Sequence, residues 1–268
     1  MTDNDLAHET MVEEFWRSWT QEGPPKSKRR QQRFFKFLPA DHRCKFCFAP
    51  LDGASGTLVR KVLQVSPSQF NPHYCNFCDD FANKFQGGAE VPITILFVDV
   101  RGSTTMAERI GQKEYGNLIN RFYVESTKVL SHADAMIGKL AGDQVSAMFS
   151  RGVAGEDYTR RALDAAKELL KVTGHGVGKE PWIPVGIGVH SGETFVGSVG
   201  QPNGLMEVAA LGDVPNTAAR MTSMAATGEI MVSEDTIAAA NMDTQGMERR
   251  DLAIKGRDKG ITAFVMQR

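Results

Sequence analysis

The chain has 268 residues, enough for one large domain or a medium domain with an appendage. Hydrophobic residues make up 41% and charged residues 24%, ordinary for a globular protein, and a formal net charge of -1 excludes the global basic field of a nucleic-acid binder. No apolar run approaches the ~18 residues needed to cross a membrane, and the acidic start MTDNDLAHETMVEEF has no apolar secretory core, so a cytoplasmic location and no membrane partner are expected.

Residues 5–20 place Leu6, Met11, Val12, Phe15, Trp16 and Trp19 at the spacing of one helix face, and Gly23-Pro24-Pro25 ends that helix. A basic run follows, with Lys26, Lys28, Arg29, Arg30, Arg33 and Lys36. A solvated linker or helix face is the better reading of so short a run in a neutral chain, ahead of contact with an acidic partner or nucleic acid. Residues 41–80 are rich in Pro, Gly and Cys and weakly patterned, 79–86 read as a short helix, and Gly87-Gly88 breaks it. From Val91 the texture becomes α/β. Strands are expected at 91–100, 134–140, 144–149, 183–190, 194–199, 229–232, 247–254 and 261–267. Helices are expected at 104–131, 157–172, 214–225 and 233–240. The reading divides the chain into an N-terminal helix and basic linker (1–40), a four-cysteine module with a connecting helix (41–90), and an α/β domain (91–268).

All four cysteines fall in two C-x-x-C pairs, Cys44-Lys-Phe-Cys47 and Cys75-Asn-Phe-Cys78. Two such pairs are the signature of a tetrahedral four-thiolate site of the zinc-ribbon type. Zn²⁺ is the first choice, with an iron–sulfur cluster as the alternative. Zinc would make the module a structural clip or interaction surface, whereas a cluster would suggest a redox- or gas-sensitive regulator. His42 and His73 lie nearby and are not counted as ligands.

Four further segments carry chemistry. Asp99 ends the apolar strand Ile93–Val98, and Gly102-Ser103-Thr104 then opens a helix whose free N–H groups suit phosphate oxygens. The plain alternative is that Asp99 or Ser103 caps that helix. Lys139-Leu-Ala-Gly142-Asp143-Gln144 reads as a hairpin turn; placed beside the first strand, it would bring Asp143 to Asp99 and allow a pair of hard divalent cations. Asn216 and Arg220 lie four apart on a helix that Pro215 opens, an amide and a guanidinium suited to a sugar and a phosphate. Lys255-Gly256-Arg257 is a basic turn between late strands, read either as a phosphate contact or as a solvated turn.

FVDVRGST (97–104), KLAGDQVSAMF (139–149), VGIGVHSGETFVGSVG (185–200) and LGDVPNTAARM (211–221), in this order, resemble the class III adenylate and guanylate cyclase catalytic domain over roughly residues 90–268. The resemblance implies a ferredoxin-like α/β nucleotidyl cyclase sandwich, working as a homodimer with two shared sites. It implies that Asp99 and Asp143, with the Val100 carbonyl, hold two Mg²⁺ or Mn²⁺ ions. It matches Lys139 to the lysine that reads adenine, Asn216 to the asparagine that orients the ribose, and Arg220 to the arginine that stabilises charge on the α-phosphate. Lys255 matches the lysine on the terminal phosphates. By the same analogy Asp99 and Asp143 of one subunit meet Lys139, Asn216 and Arg220 of the other. The expected activity is conversion of ATP into 3′,5′-cyclic AMP and pyrophosphate.

Two departures stand out. Ala209 occupies a position where adenylate cyclases usually carry Asp, Thr or Ser as a second adenine contact, which motivates a guanylate or relaxed-specificity cyclase as the nearest rival. Gly186 stands where some members have an arginine. A catalytically silent cyclase fold that binds a regulatory partner through the cysteine module is a reading of another class, against which the intact Asp99, Asp143, Asn216 and Arg220 argue. His190 reads as structural. The helix near 79–86 is expected to carry a signal, or the presence of a regulatory protein, from the N-terminal module to the cyclase dimer.

Overall fold

A computed structural model describes residues 3–176, 178, 180–202, 204–253 and 260–266. The elements run α1 (Asp3–Gln21), α2 (Lys26–Phe37), α3 (Gly53–Leu63), α4 (Asn76–Lys84), β1 (Gly87–Val100), α5 (Ser103–Ile110), α6 (Gln112–His132), β2 (Met136–Ala141) and β3 (Gln144–Phe149). They continue with α7 (Arg151–Ala154), α8 (Tyr158–Val172), β4 (Val185–Gly200), β5 (Met206–Leu211), α9 (Asp213–Met224), β6 (Ile230–Ser233), α10 (Glu234–Ala239), β7 (Glu248–Leu252) and β8 (Ile261–Met266). The chain divides into two compact units, one of Met1–Val91, Arg151–Val153 and Thr194–Leu211, the other of Pro92–Ser150, Ala154–Glu193 and Gly212–Arg268.

In the first unit α1 buries Val12, Trp16 and Thr20, spaced four apart, while Leu6 and Met11 of the expected face stay exposed. Phe15 stacks on Phe85 with ring centroids 3.8 Å apart, and Trp19 stacks on Phe46 at 5.5 Å. The Trp16 indole N–H donates to the Phe85 carbonyl at 2.9 Å, so the one polar atom of this ring is satisfied inside an aromatic cluster. The basic run forms α2, a solvated helix with Phe35 buried. A helix over 53–63 was not expected from the sequence. Its face holds only Ser55, Gly56 and Val59 buried, with Leu58, Val62 and Leu63 exposed, so it shows no apolar stripe. Strand β5 was also unexpected. It pairs antiparallel with the last part of β4, from Phe195↔Leu211 to Gly200↔Met206.

The second unit has the expected α/β architecture, with strand order β2-β3-β1-β4-β6-β8-β7. β1 and β2 flank β3 antiparallel, β4 and β6 are parallel, and β8 pairs antiparallel with both β6 and β7. α6 and α8 pack together and reach β2 and β3, while α9 lies on β6. The long helix expected over 104–131 divides at Gly111, whose φ of 84° a side chain would resist, into α5 and α6. The two strands expected over 183–199 are one strand, because Gly192 continues it rather than turning it.

The glycines of VGIGVHSG explain how α9 is placed. Gly186, Gly188 and Gly192 alternate onto one face of β4. A Cβ at Gly188 would lie 2.5 Å from the Thr222 N and against the Thr222 hydroxyl, and one at Gly192 would lie 2.7 Å from Val214 Cγ2. The helix therefore rests directly on the strand backbone along its length. A buried hydroxyl cluster in this core is paired: Thr94 Oγ1 meets Thr159 Oγ1 at 2.9 Å and Ser191 Oγ at 2.8 Å. His190 is buried, and its Nδ1 lies 2.8 Å from Ser233 Oγ, which in turn caps α10 by accepting from the Thr236 N–H.

Candidate active site and four-cysteine centre

Strand register brings the two predicted carboxylates together. Asp99 pairs with Gln144 across β1 and β3, and one step further the Val100 N–H donates to the Asp143 carbonyl at 3.0 Å. The β2–β3 turn is thus stitched to the residue after Asp99, so Asp99, Val100 and Asp143 share one end of the sheet. Gly142 adopts φ 63°, the left-handed conformation that glycine accepts freely. The Tyr123 hydroxyl of α6 donates to the Gly142 carbonyl at 2.7 Å and pins the turn. Burial pushes the Asp99 carboxyl above its usual range; Arg101 pulls it down and Asp143 pushes it up. The phenols of Tyr115 and Tyr123 are raised by burial and then by the charge of Asp143.

Gly102, at φ 65°, occupies the N-cap of α5, so neither Asp99 nor Ser103 is the capping residue. Ser103 and Thr104 follow as its first turn. With Tyr115, Asn120, Gly142 and Asp143 they line an open cleft of about 500 Å³, within the size range of small-molecule sites. Lys139 is exposed on β2 at a bulge between Ile137 and Leu140, and its backbone N–H donates to Ser146 Oγ at 2.8 Å. Asn216 and Arg220 are exposed on α9, opposite its buried face of Val214, Thr217, Ala218, Met221 and Thr222. Lys255 lies outside the described residues.

Sequence reasoning missed Arg101. Its Nη1 lies 3.5 Å from Asp99 Oδ2, its Nη2 donates to the Thr222 carbonyl at 2.5 Å, and its backbone N–H donates to the Pro184 carbonyl at 2.8 Å. It joins the end of β1 to the last turn of α9. The glycine at 186 is the local reason: a Cβ there would lie 2.7 Å from Arg101 Nε and 2.9 Å from its Nη2. A cation two residues after a strand-end carboxylate, with a glycine on the neighbouring strand, was the available signal.

The four cysteines also converge. Their sulfurs all lie within 4.8 Å of one another, with Cys47 Sγ and Cys75 Sγ 3.6 Å apart. The first pair sits on a tight turn, where the Cys44 N–H donates to the Ala49 carbonyl at 2.9 Å and the Phe48 N–H to the Cys44 carbonyl at 2.9 Å; the second opens α4, with Cys75 bridged to Pro67 at the N-cap position and Cys78 in the first turn. Burial opposes ionisation of Cys44, yet hydrogen bonds from the three other thiols carry it well below its usual range. Neither His42 nor His73 belongs to the group. A single tetrahedral ion with metal–sulfur bonds of ~2.3 Å would set sulfurs about 3.8 Å apart, which this cluster fits.

The adenylate and guanylate cyclase catalytic domain family matches residues 86–267. The chain is 26% identical over 242 residues to an adenylate cyclase of Anabaena cylindrica, covering 80% of this chain and 48% of that protein. It is 33% identical over 154 residues to guanylyl cyclase C of Homo sapiens, covering 54% of this chain and 14% of that protein. The chain thus spans about half or less of these curated relatives. Among solved structures, the guanylyl cyclase Cya2 superposes with TM-score 0.59 at 27% identity, over 67% of this chain and 93% of that one. The adenylyl cyclase CyaB from P. aeruginosa shares the fold, with TM-score 0.57 at 22% identity over 68% of this chain and 96% of that one. By its sequence match and its sheet, this chain belongs to the adenylate and guanylate cyclase catalytic domain family.

Proposed function

We propose that the chain is an adenylate cyclase, converting ATP into 3′,5′-cyclic AMP and pyrophosphate in a homodimer with shared sites. One observation carries the reading: the Val100–Asp143 backbone hydrogen bond brings residues 99 and 143 to one end of the sheet, where the charge of Asp143 acts on the Asp99 carboxyl. Oxygen-only donors and mutually repelling carboxylates, with Asp99 already pushed up by burial, fit hard divalent cations. Asp99, Asp143 and the Val100 carbonyl would hold two Mg²⁺ or Mn²⁺ ions. Such ions, when bound, activate an attacking oxygen and neutralise a leaving one.

The protein's own groups position the nucleotide. The first turn of α5, at Gly102, Ser103 and Thr104, offers free N–H groups to phosphate oxygens. Lys139 accounts for the choice of base, Asn216 holds the ribose, and Arg220 meets the charge that grows on the α-phosphate as the 3′-oxygen attacks and pyrophosphate departs. Lys255 is assigned to the terminal phosphates. By family analogy Lys139, Asn216 and Arg220 act on the site whose carboxylates belong to the partner subunit. The four thiolates are assigned one structural Zn²⁺, because their spacing suits one ion better than a cluster, which interposes its own iron and sulfide between the ligands.

A relaxed-specificity cyclase is the second reading, and Ala209 is the observation behind it. Its side chain has no polar atom, so discrimination rests on Lys139, backbone groups or water. Separate incubations with ATP and with GTP, in Mg²⁺ or Mn²⁺, with the product identified by mass, decide between them. Cyclic AMP formed at least tenfold faster than cyclic GTP, with that preference lost in Lys139→Glu, supports the adenylate reading. Comparable rates support relaxed specificity, and the absence of either product counts against both.

A further inference from the structure

Within the first unit, the segment joining the two cysteine pairs grips the β4–β5 hairpin. The Asn71 side-chain amide donates to the Met206 carbonyl at 2.9 Å, and the Tyr74 hydroxyl accepts from the Val208 N–H at 2.9 Å. From the hairpin side, the Ser198 hydroxyl donates to the Ala82 carbonyl at 2.7 Å. All three side chains are buried. Met206 and Val208 are two apart on β5, so these groups lie on one edge of the strand. Among the described residues β5 has no strand neighbour opposite β4, and Asn71 and Tyr74 satisfy that edge as a further strand would.

The gripping groups adjoin the second cysteine pair. Asn71 accepts from the Tyr74 N–H at its carbonyl and from the His73 N–H at its Oδ1, both at 3.0 Å, and Tyr74 leads straight into Cys75. Ala82 stands one helical turn beyond Cys78 on α4. On the other side, β5 ends at Leu211, and Gly212 alone separates it from α9. Gly212 adopts φ 124° and ψ −156°, a conformation reserved for glycine. One residue of chain therefore separates the gripped strand from the helix that carries Asn216 and Arg220.

We infer that Asn71 and Tyr74 are positioning residues for the cyclase reaction, and that a metal ion on Cys44, Cys47, Cys75 and Cys78 holds them against β5. The inference rests on the cyclase reading for its kinetic consequence and on chain geometry for its structural one. Loss of the ion frees the two cysteine pairs, the edge of β5 loses its partners, and the strand that leads through Gly212 into α9 loses its anchor. Metal state then sets turnover rather than substrate affinity, because Arg220 acts on charge that develops during the reaction.

The test uses full-length Tyr74→Phe, which removes one oxygen, and Ser198→Ala, which cuts the grip from the hairpin side far from the cysteines in sequence. Kinetics are read alongside hydrogen exchange of peptides within 206–224. Both variants are expected to keep one zinc per chain and wild-type KM for ATP, to lose about tenfold in kcat, and to exchange faster across 206–224. Wild-type protein stripped of zinc by a mercurial, in excess Mg²⁺, is expected to show the same pattern more strongly. Wild-type exchange and kcat in both variants overturn the positioning role, and unchanged exchange after zinc removal overturns the role of the metal. A wild-type protein that makes no cyclic nucleotide defeats the cyclase reading alone, since exchange still reports whether the grip reaches α9.

Discussion

Arg101 and Thr222 are joined by a hydrogen bond of 2.5 Å from the guanidinium Nη2 to the Thr222 carbonyl, two residues beyond Arg220 on α9. The same guanidinium lies 3.5 Å from the Asp99 carboxylate. One side chain thus ties a carboxylate proposed to bind metal to the helix proposed to stabilise the transition state, inside a single subunit. Arg101→Ala is expected to lower kcat about a hundredfold and to cost roughly 1.5–3 kcal/mol of stability, read from urea midpoints. Gly186→Ala should act through the same group, because its Cβ would lie 2.7 Å from Arg101 Nε. The double variant should then lose little more activity than either single one, whereas fully multiplicative losses would separate the two positions.

Gly188 tests the seating of α9 independently of any charge. A Cβ there would lie 2.5 Å from the Thr222 N, a backbone atom that has nowhere to move without the helix. Gly188→Ala should cost about 1–3 kcal/mol by overpacking and should reduce kcat more than KM. A variant with wild-type thermal midpoint and kcat would show that the helix is not set by the strand backbone.

Glu229 and Arg250 give the fold a measurable acid response. Arg250 Nη1 and Nη2 donate to the two Glu229 oxygens at 2.8 Å each, and the Ala226 N–H adds a third bond at 2.8 Å. The Arg250 bonds, first of all, hold the Glu229 carboxyl below its usual range. A depressed folded-state pKa means the stabilisation is present above the unfolded value near ~4.3 and lost as pH falls through the folded one. Arg250→Gln should therefore cost about 1 kcal/mol at neutral pH. That difference should shrink toward zero well below the folded-state pKa. Denaturant titrations at neutral and acidic pH check it, and a pH-independent difference would assign the loss to packing of the arginine stem instead.

The four thiols should bind one zinc per chain, and Cys47→Ser should lose it and lower the thermal midpoint by about 5 °C or more. Metal analysis with cobalt substitution reads this, since tetrahedral thiolate cobalt has intense visible absorption. Stoichiometric iron with acid-labile sulfide in anaerobically purified protein would replace the zinc assignment with a cluster.

Much of this was legible in the sequence for physical reasons, and the rest was hidden for reasons as physical. Asp99 and Asp143 could be placed because an apolar strand and a Gly-Asp hairpin each have a strong local signal, and register then joins them. The cysteine pairs were legible because ligand spacing is itself geometric. Strand β5, MEVAAL, was invisible because its two alanines favour no strand and its edge is satisfied by Asn71 and Tyr74, far away in sequence. Helix α3 buries no stripe that periodicity could detect. Arg101 escaped because its importance lies in Thr222 and Gly186, which only the folded chain brings to it.

The most direct test of the central claim is cyclic AMP production by purified protein in Mn²⁺ and ATP, compared with Asp143→Asn, which keeps the side chain's size and the Val100–Asp143 backbone hydrogen bond. Cyclic AMP is expected from the wild type and a loss of at least about a thousandfold in the variant, with thermal midpoint and oligomeric state unchanged. Turnover surviving in a folded Asp143→Asn protein would contradict the two-carboxylate site.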